Sequence, residues 1–404
     1  MSKQYVVLGG AGSMGRITVC DLVKTCLPQD VIVVADYDEK KARAVVDSYI
    51  QSSNYSGPKL EAVKVNVKDR VAAAKALSQA FVIINSSPYE YNLNVMAIAL
   101  DVRAHYIDLG GLFHMTQKQL KLDEQFKAIG KIALIGMGSG PGIANILARL
   151  GADELDTVEE IHCRVAGCDK TQYTSHPALD VSYSLQTILE EFSYEPAVFT
   201  KGKFQFVPPM TGLVAHRFPN PVGVKKPMYT LHSEVATLPL SFQNKGVKEV
   251  SFKIAFDPEF IEKVQFLRDL GMASHDYIDV DGVRVRPITL LSKVALSQTQ
   301  GQVKGKLKQY EIVRTIVKGI KNGKKLTVVS DCHIQGMPEW GLGSDISTGS
   351  PPSVVAQMIA GGEIAHHGVV PPEIAVPTKS FFSQLKRRKM FVKVVRQAGW
   401  RFLT

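Results

Sequence analysis

Near the start of the chain, Gly10-Ala11-Gly12-Ser13-Met14-Gly15 sets three glycines at the spacing G-x-G-x-x-G, directly after an apolar run and opening a helical pattern. Glycine at these positions allows a tight turn, lets the backbone approach a pyrophosphate, and lets the helix pack closely on the strand. A phosphate held there would meet the free N–H groups of the helix start, around Ser13 and Met14, and the positive end of its dipole. The next apolar run, Val31 to Ala35, ends on Asp36, where a carboxylate can accept from the hydroxyls of an adenosine ribose. Strand, glycines, helix, strand and acid follow in the order that dinucleotide binding requires. Because Asp36 repels a 2′-phosphate and occupies its space, NAD is expected over NADP. Lys40 and Lys41 close behind keep NADP as the alternative.

In open parallel sheets ligands gather at the carboxyl ends of the strands, so the loops after later strands are where the chemistry is expected. These read Asn85-Ser86-Ser87-Pro88-Tyr89, Asp108-Leu109-Gly110-Gly111-Leu112-Phe113-His114, and a glycine-rich stretch from Gly136 to Asn145. Ser86, Pro88, Gly110 and Gly111 would border the cofactor. Tyr89 and Asp108 are the leading candidates for proton transfer, with His114 in reserve because imidazole titrates near neutrality. Each has a plainer reading: packing for Tyr89, capping of backbone N–H groups for Asp108, a surface position for His114. The glycine-rich stretch implies close backbone approach or a hinge. Arg217 is the candidate cation for a substrate carboxylate. No metal is expected, since His366-His367, His162-Cys163 and Cys332-His333 lack metal-ligand spacing.

The elements that must position these residues follow from periodicity. Six strand-like runs, beginning at Gln4, Val31, Ala62, Phe81, His105 and Lys131, alternate with helical patterns 13–25, 38–50, 69–79, 91–100 and 117–129. That alternation is the pattern of a doubly wound parallel sheet, here an N-terminal Rossmann domain over residues 1–145. From 146 to 345 long strand-like segments dominate, among them Val158 to Val165, Lys248 to Phe256 and a hairpin, 310–318 with 325–332, turned on Asn322-Gly323. This part is expected to be an α+β mixed-sheet substrate domain. Residues 346–404 hold a helix opened by Ser350-Pro351-Pro352-Ser353 and a second from about Thr378 to Lys389.

Composition narrows the class of function. The net charge of +10 lies wholly in the last quarter, where residues 301–404 carry 16 Lys and Arg against 6 Asp and Glu. No aromatic residues interleave with Lys386, Arg387, Arg388 and Lys389, so the run reads as a solvated face and no nucleic acid is expected as a partner. Five cysteines, an odd number without a C-x-x-C pair, argue against a disulfide framework. No apolar run approaches the roughly 20 residues of a spanning helix and no secretory leader opens the chain, so a cytoplasmic protein without membrane contact is expected.

The chain resembles the saccharopine dehydrogenase family, in the smaller branch that holds lysine 6-dehydrogenases and carboxynorspermidine dehydrogenases. The resemblance rests on Val7 to Gly12 with Met14-Gly15, Ala35-Asp36-Tyr37-Asp38 with Lys41-Ala42, Tyr106 to Gly111, and Gly138-Ser139-Gly140-Pro141-Gly142-Ile143-Ala144-Asn145. It continues through Tyr183-Ser184 to Phe192, Pro196 to Val198, Thr237-Leu238-Pro239, Thr348 to Gly362 and Gly368 to Glu373. It implies hydride transfer at a C–N bond of an amino acid or polyamine derivative such as lysine or saccharopine, a homodimer formed through the second domain, and a C-terminal segment, residues 346–404, that packs back toward the Rossmann domain and the cofactor. Many glutamate-forming members carry a basic residue after the acid of the second strand. Tyr37 stands there in this chain and strengthens the expectation of NAD. Ser139 departs from the Asp or Ala of many members. A dinucleotide-binding sensor or assembly protein without turnover, or a dehydrogenase of a hydroxyl substrate, are the competing readings.

Overall fold

A computed structural model describes every residue except 1, 52–54, 176–178, 180, 182–183, 298–301 and 399–404; of the residues carrying the resemblance, Tyr183 lies outside the described set. The first part runs β1 (Gln4–Leu8), α1 (Ser13–Thr25), β2 (Val31–Asp36), α2 (Glu39–Ile50), β3 (Lys59–Lys64), α3 (Arg70–Ala76), β4 (Val82–Asn85), α4 (Asn92–Asp101), β5 (His105–Asp108), α5 (Leu112–Leu120), α6 (Asp123–Ala128), β6 (Ile132–Leu134) and α7 (Ile143–Ala152). Its strands are short, and all but β3 at the sheet's edge are almost wholly buried, as strands covered by helices on both faces must be. The helical pattern over 117–129 resolves into two shorter helices, α5 and α6.

The second part runs β7 (Thr157–Asp169), α8 (Leu185–Ser193), β8 (Ala197–Thr200), β9 (Lys203–Phe206), β10 (His216–Arg217), β11 (Val224–Lys225), β12 (Met228–Tyr229), α9 (Glu234–Ser241), β13 (Glu249–Ala255), α10 (Pro258–Asp269), β14 (Ile278–Val280), β15 (Val283–Val285), α11 (Pro287–Ser297), β16 (Gln309–Lys321) and β17 (Lys324–Ile334). The chain closes with α12 (Ile346–Gly349), α13 (Pro351–Ala360), β18 (Gly368–Val370), α14 (Pro372–Ala375), α15 (Thr378–Arg387) and β19 (Met390–Ala398).

Two large sheets result. The first is parallel, in the order β18-β6-β5-β4-β1-β2-β3. The order reverses at β1, which pairs with both β2 and β4, and this switch point opens a crevice between the loops that follow β1 and β4. The second sheet is mixed, in the order β19-β17-β16-β7-β13-β8-β9, with β12 added beside β13. The β16–β17 hairpin turns on Asn322 and Gly323, both at positive φ (50° and 71°), which suits the right-handed twist of its strands. Helix α7 lies between the sheets with almost every side chain buried. A Cβ on its Gly151 would meet Val317 of β16 at 2.7 Å, so helix and sheet approach more closely than alanine allows.

The last segment does more than return to the Rossmann domain: β18 extends the first sheet beside β6, and β19 extends the second beside β17. It also clamps α1. Arg388 is 2% exposed, against the solvated reading of its basic run, and its Nε and one Nη reach Asp21 at 2.5 and 2.6 Å. Ser353 donates to the same carboxylate at 2.6 Å, and Thr18 donates to the Gly349 carbonyl at 2.7 Å. No described helix is long and apolar enough to cross a membrane.

Candidate active site

The glycine loop follows from close packing. A Cβ on Gly15 would lie 2.2 Å from the Gly9 carbonyl oxygen, and one on Gly10 would lie 2.9 Å from Val34 Cγ1, so these two glycines let α1 seat on β1 and β2. Gly9, at φ 74°, brings the loop against Ser86 and Ser87 of the β4 loop. Gly12 differs: its φ and ψ (−74°, 171°) suit any residue, and a Cβ there would meet only the Gly9 oxygen, at 3.2 Å. Its exposed face borders the N-terminus of α1, where Ser13, Met14 and Gly15 begin the helix with no side-chain cap.

Asp36 ends β2 with one carboxylate oxygen accepting from the Ala11 N–H (3.1 Å) and the other from the Asp38 N–H (3.0 Å). Both oxygens keep a further lone pair. Tyr37 beside it is 72% exposed. Across the crevice the buried Ser86 hydroxyl oxygen has no partner within the protein, and Pro88, Gly110 and Gly111 continue the same rim. Free helix N–H groups, an approachable glycine, an acid at the second strand and an orphaned hydroxyl fit a dinucleotide.

The residues expected to move protons fare differently. Asp108 is fully buried, and its carboxylate accepts from the Gly136 N–H (2.7 Å), the Gly110 N–H (2.9 Å), Tyr106 Oη (2.8 Å) and Gln119 Nε2 (2.5 Å). Burial pushes its pKa up, and the four donors offset part of that. With its oxygens so engaged, Asp108 fastens the loops after β5 and β6 together, which is the capping reading and not the catalytic one. Tyr89 is half-buried next to Glu190. Burial and that carboxylate raise its pKa well beyond the ordinary phenol range. His114 is exposed on α5 and stacks on Phe206, with ring centroids 5.7 Å apart. Arg217 is also exposed, on β10, and its carbonyl accepts from Arg314 at 2.8 Å.

A pair that sequence reading passes over faces these loops instead. The stretch before α9 places His232, Ser233 and Glu234 against the ends of β5 and β6. Ser233 Oγ accepts from the Gly111 N–H at 3.3 Å, and a Cβ on Gly140 would meet Glu234 Oε1 at 2.9 Å. His232 Nδ1 is hydrogen-bonded to Glu234 Oε2, its ring lies flat on Phe252 (centroids 3.7 Å apart, planes at 6°), and its Nε2 is 3.9 Å from Glu191 Oε1. Burial alone would lower the imidazole's pKa, but the Glu234 and Glu191 carboxylates outweigh it and hold the pKa above the ordinary histidine value. The only hint in the sequence is a histidine within two residues of a glutamate at a helix start. On the other side of the glycine-rich loop, Ser139 and Ser347 donate to Glu311 Oε1 at 2.7 and 3.0 Å.

A grouping of Glu160, His162 and Glu249, with ligand atoms within 4.8 Å of one another, lies on the second sheet. There the Lys318 ammonium already occupies Glu160 at 2.7 Å.

The parallel sheet has its crevice at the β1–β4 switch point, and with the family models that match the chain it makes the protein an NAD(P)-dependent oxidoreductase. Family models described as the saccharopine dehydrogenase NADP binding domain and C-terminal domain match residues 5–134 and 138–390. The chain belongs to the saccharopine dehydrogenase family. A relative named carboxyaminopropylagmatine dehydrogenase, from Synechocystis sp., is 21% identical over 389 residues, covering 91% of this chain and 92% of that protein. The NADP(+), L-glutamate-forming saccharopine dehydrogenase of Schizosaccharomyces pombe is 29% identical over 157 residues, 39% of this chain and 31% of that protein. The apo structure of the L-Glu-forming saccharopine dehydrogenase of Saccharomyces cerevisiae shares the fold with a TM-score of 0.70, at 17% identity, over 98% of this chain and 100% of that one.

The contrast between Gly12 and Gly15 yields an expected result. Gly12→Val leaves the melting temperature near wild type and removes NAD(P) binding, because the new side chain fills the approach to the helix N-terminus. Gly15→Val unfolds the domain. Titration of NAD and NADP beside melting curves without ligand checks it, and retained affinity in Gly12→Val would count against the cofactor position.

Proposed function

We propose that the protein oxidises a C–N bond of an amine or amino-acid derivative, or forms one in the reverse direction, with His232 as the group that exchanges a proton with the reacting nitrogen. The observation that carries this is the His232–Glu234 pair set against the loops at the carboxyl ends of β5 and β6. The bound nicotinamide supplies the hydride acceptor or donor. In the oxidative direction the substrate C–H bond breaks with its electron pair leaving as hydride, the nitrogen lone pair forms C=N, and the N–H proton passes to His232 Nε2. Glu234 keeps the Nδ1 proton in place and stabilises the imidazolium that results. Phe252 fixes the ring plane, and the 136–142 loop, held by Asp108, covers the site. In the condensing direction the protonated His232 returns the proton.

Names of the relatives support an amino-acid or polyamine derivative as the substrate class. The division into units of about 1–145, 146–345 and 346–404, a cytoplasmic location and a homodimer belong to the same reading. The exposed Phe391 and Val395 on the edge strand β19 are what supports association.

Within this reading NAD is the preferred cofactor, because Asp36 stands where a 2′-phosphate would need space and positive charge. Asp36→Ser is expected to weaken NAD binding about tenfold and to bring the NAD and NADP dissociation constants together. Measured constants for both cofactors decide it: an unchanged ratio would mean that Asp36 does not meet the ribose.

A further inference from the structure

Over most of the surface, exposed apolar side chains are scattered singly, which is ordinary for a folded chain. One excursion differs. Of the 22 exposed large apolar side chains among the described residues, eight fall within residues 266–294, the stretch from the end of α10 through β14 and β15 into α11. Its inner side is well packed, since Val264 of α10 and Ile288 of α11 are buried in one cluster with Leu185, Ile188 and Leu189 of α8. Its outer side leaves Phe266, Leu270, Leu290 and Val294 between 45% and 65% exposed.

The hairpin between the two helices is firmly specified. Asp281 and Gly282, at φ 52° and 84°, make the two-residue turn that suits the strand twist, and the Asp279 carboxylate accepts from the Gly282 N–H at 3.0 Å. The register sets Ile278 against Val285, Asp279 against Arg284 and Val280 against Val283. Alternation therefore sends Tyr277, Asp279, Arg284 and Arg286 to one face, where both guanidiniums lie over the Tyr277 ring, at 4.5 and 4.7 Å. The other face is Ile278, Val280, Val283 and Val285, without a charge among them, and the first three are 48%, 45% and 62% exposed. Strands β14 and β15 pair with no other described strand. A two-stranded hairpin with an uncovered apolar face is marginal in water, so these β-branched residues require a cover that lies outside the described chain.

We propose that the hairpin is a self-association arm, its apolar face packed on the same face of a second copy of this chain across a two-fold axis. With the outer residues of α10 and α11 it leaves open on the order of 600 Å² of apolar surface, as much as the largest patch on a typical monomer and most of the roughly 800 Å² that each partner gives a stable interface. The lack of charge on the face favours a copy over an unrelated partner, because interfaces between copies are the more apolar kind. Face packing is favoured over addition at a strand edge. Full antiparallel pairing of either strand with its own copy would set Asp279 against Asp279 or Arg284 against Arg284. The contact is separate from any made by Phe391 and Val395, which belong to β19 of the large second sheet, so two-fold contacts at both surfaces build a tetramer.

The test is sedimentation velocity of the full chain from about 0.5 to 50 μM, beside melting curves of dilute protein. Two double variants are compared with wild type. Val280→Glu with Val283→Lys charges the face but keeps an attractive pair across the strands, and Val280→Thr with Val283→Thr keeps residues that favour strands. Wild type is expected to associate. In the charged variant the dissociation constant of one association step should rise at least about a hundredfold, and in the threonine variant about tenfold, with melting temperatures near wild type. If the charged variant does not fold, the threonine variant decides. A wild type that stays monomeric over the whole range, or an assembly that the folded variants leave as tight as before, overturns the arm. A wild type that is monomeric alone and cosediments with phosphatidylcholine vesicles, while the variants do not, overturns it in favour of a lipid surface.

Discussion

Replacing His232 by Asn lowers kcat on the amine substrate by about 10² to 10⁴-fold, the range for loss of a positioned proton acceptor, while NAD(P) affinity stays near wild type. The accompanying change in pH dependence separates chemistry from structure. In the oxidative direction His232 must be unprotonated, so the rate rises with pH through its pKa, which the Glu234 and Glu191 carboxylates hold above the ordinary histidine value. In His232→Asn that limb disappears. Glu234→Gln removes one of the two raising charges, so its limb moves to lower pH and the retained activity is larger. Rate profiles across pH 5 to 10 for the three proteins read this out, and an Asn variant with wild-type kcat would end the assignment.

The second large effect is on stability. Arg388→Met leaves the carboxylate of Asp21 buried without its cation, which costs about 3 to 5 kcal/mol. The double variant Asp21→Leu, Arg388→Met removes both charges and should recover most of that stability, because the penalty comes from the stranded charge. Urea midpoints at unchanged m-values measure both. A single variant as stable as wild type would show that water reaches Asp21. Because Asp21 lies on α1, the helix whose N-terminus faces the phosphate position, Arg388→Met should also weaken NAD(P) binding, through the seating of that helix alone.

What could be read from the residues was mostly local. The glycine spacing, the β-branched runs and the Asn322-Gly323 turn each constrain a few neighbouring dihedrals, and the doubly wound sheet and the β16–β17 hairpin follow from them. Asp108 and Tyr89 were legible as residues at strand ends, but whether such a carboxylate meets a substrate or four protein donors depends on Gln119 and Gly136, partners that no periodicity encodes. His232 escaped notice because its significance comes from Glu234, Phe252 and Glu191, which converge from α9, β13 and α8. The run at 386–389 misled for a related reason: three of its charges are exposed, and the fourth is buried by a partner 367 positions away.

The two strands near the end of the chain set an order on its synthesis. A ribosome delivers β6 and β17 long before β18 and β19, so in the emerging chain each large sheet presents an unpaired edge whose proper neighbour does not yet exist. Both edges close only when residues 368–398 are free of the exit tunnel, and every closing pairing spans a long loop, which slows assembly. Until then the nascent protein is a ready template for pairing with other chains. Its yield in a cell should therefore depend more on chaperone supply and growth temperature than the stability of the finished molecule would suggest.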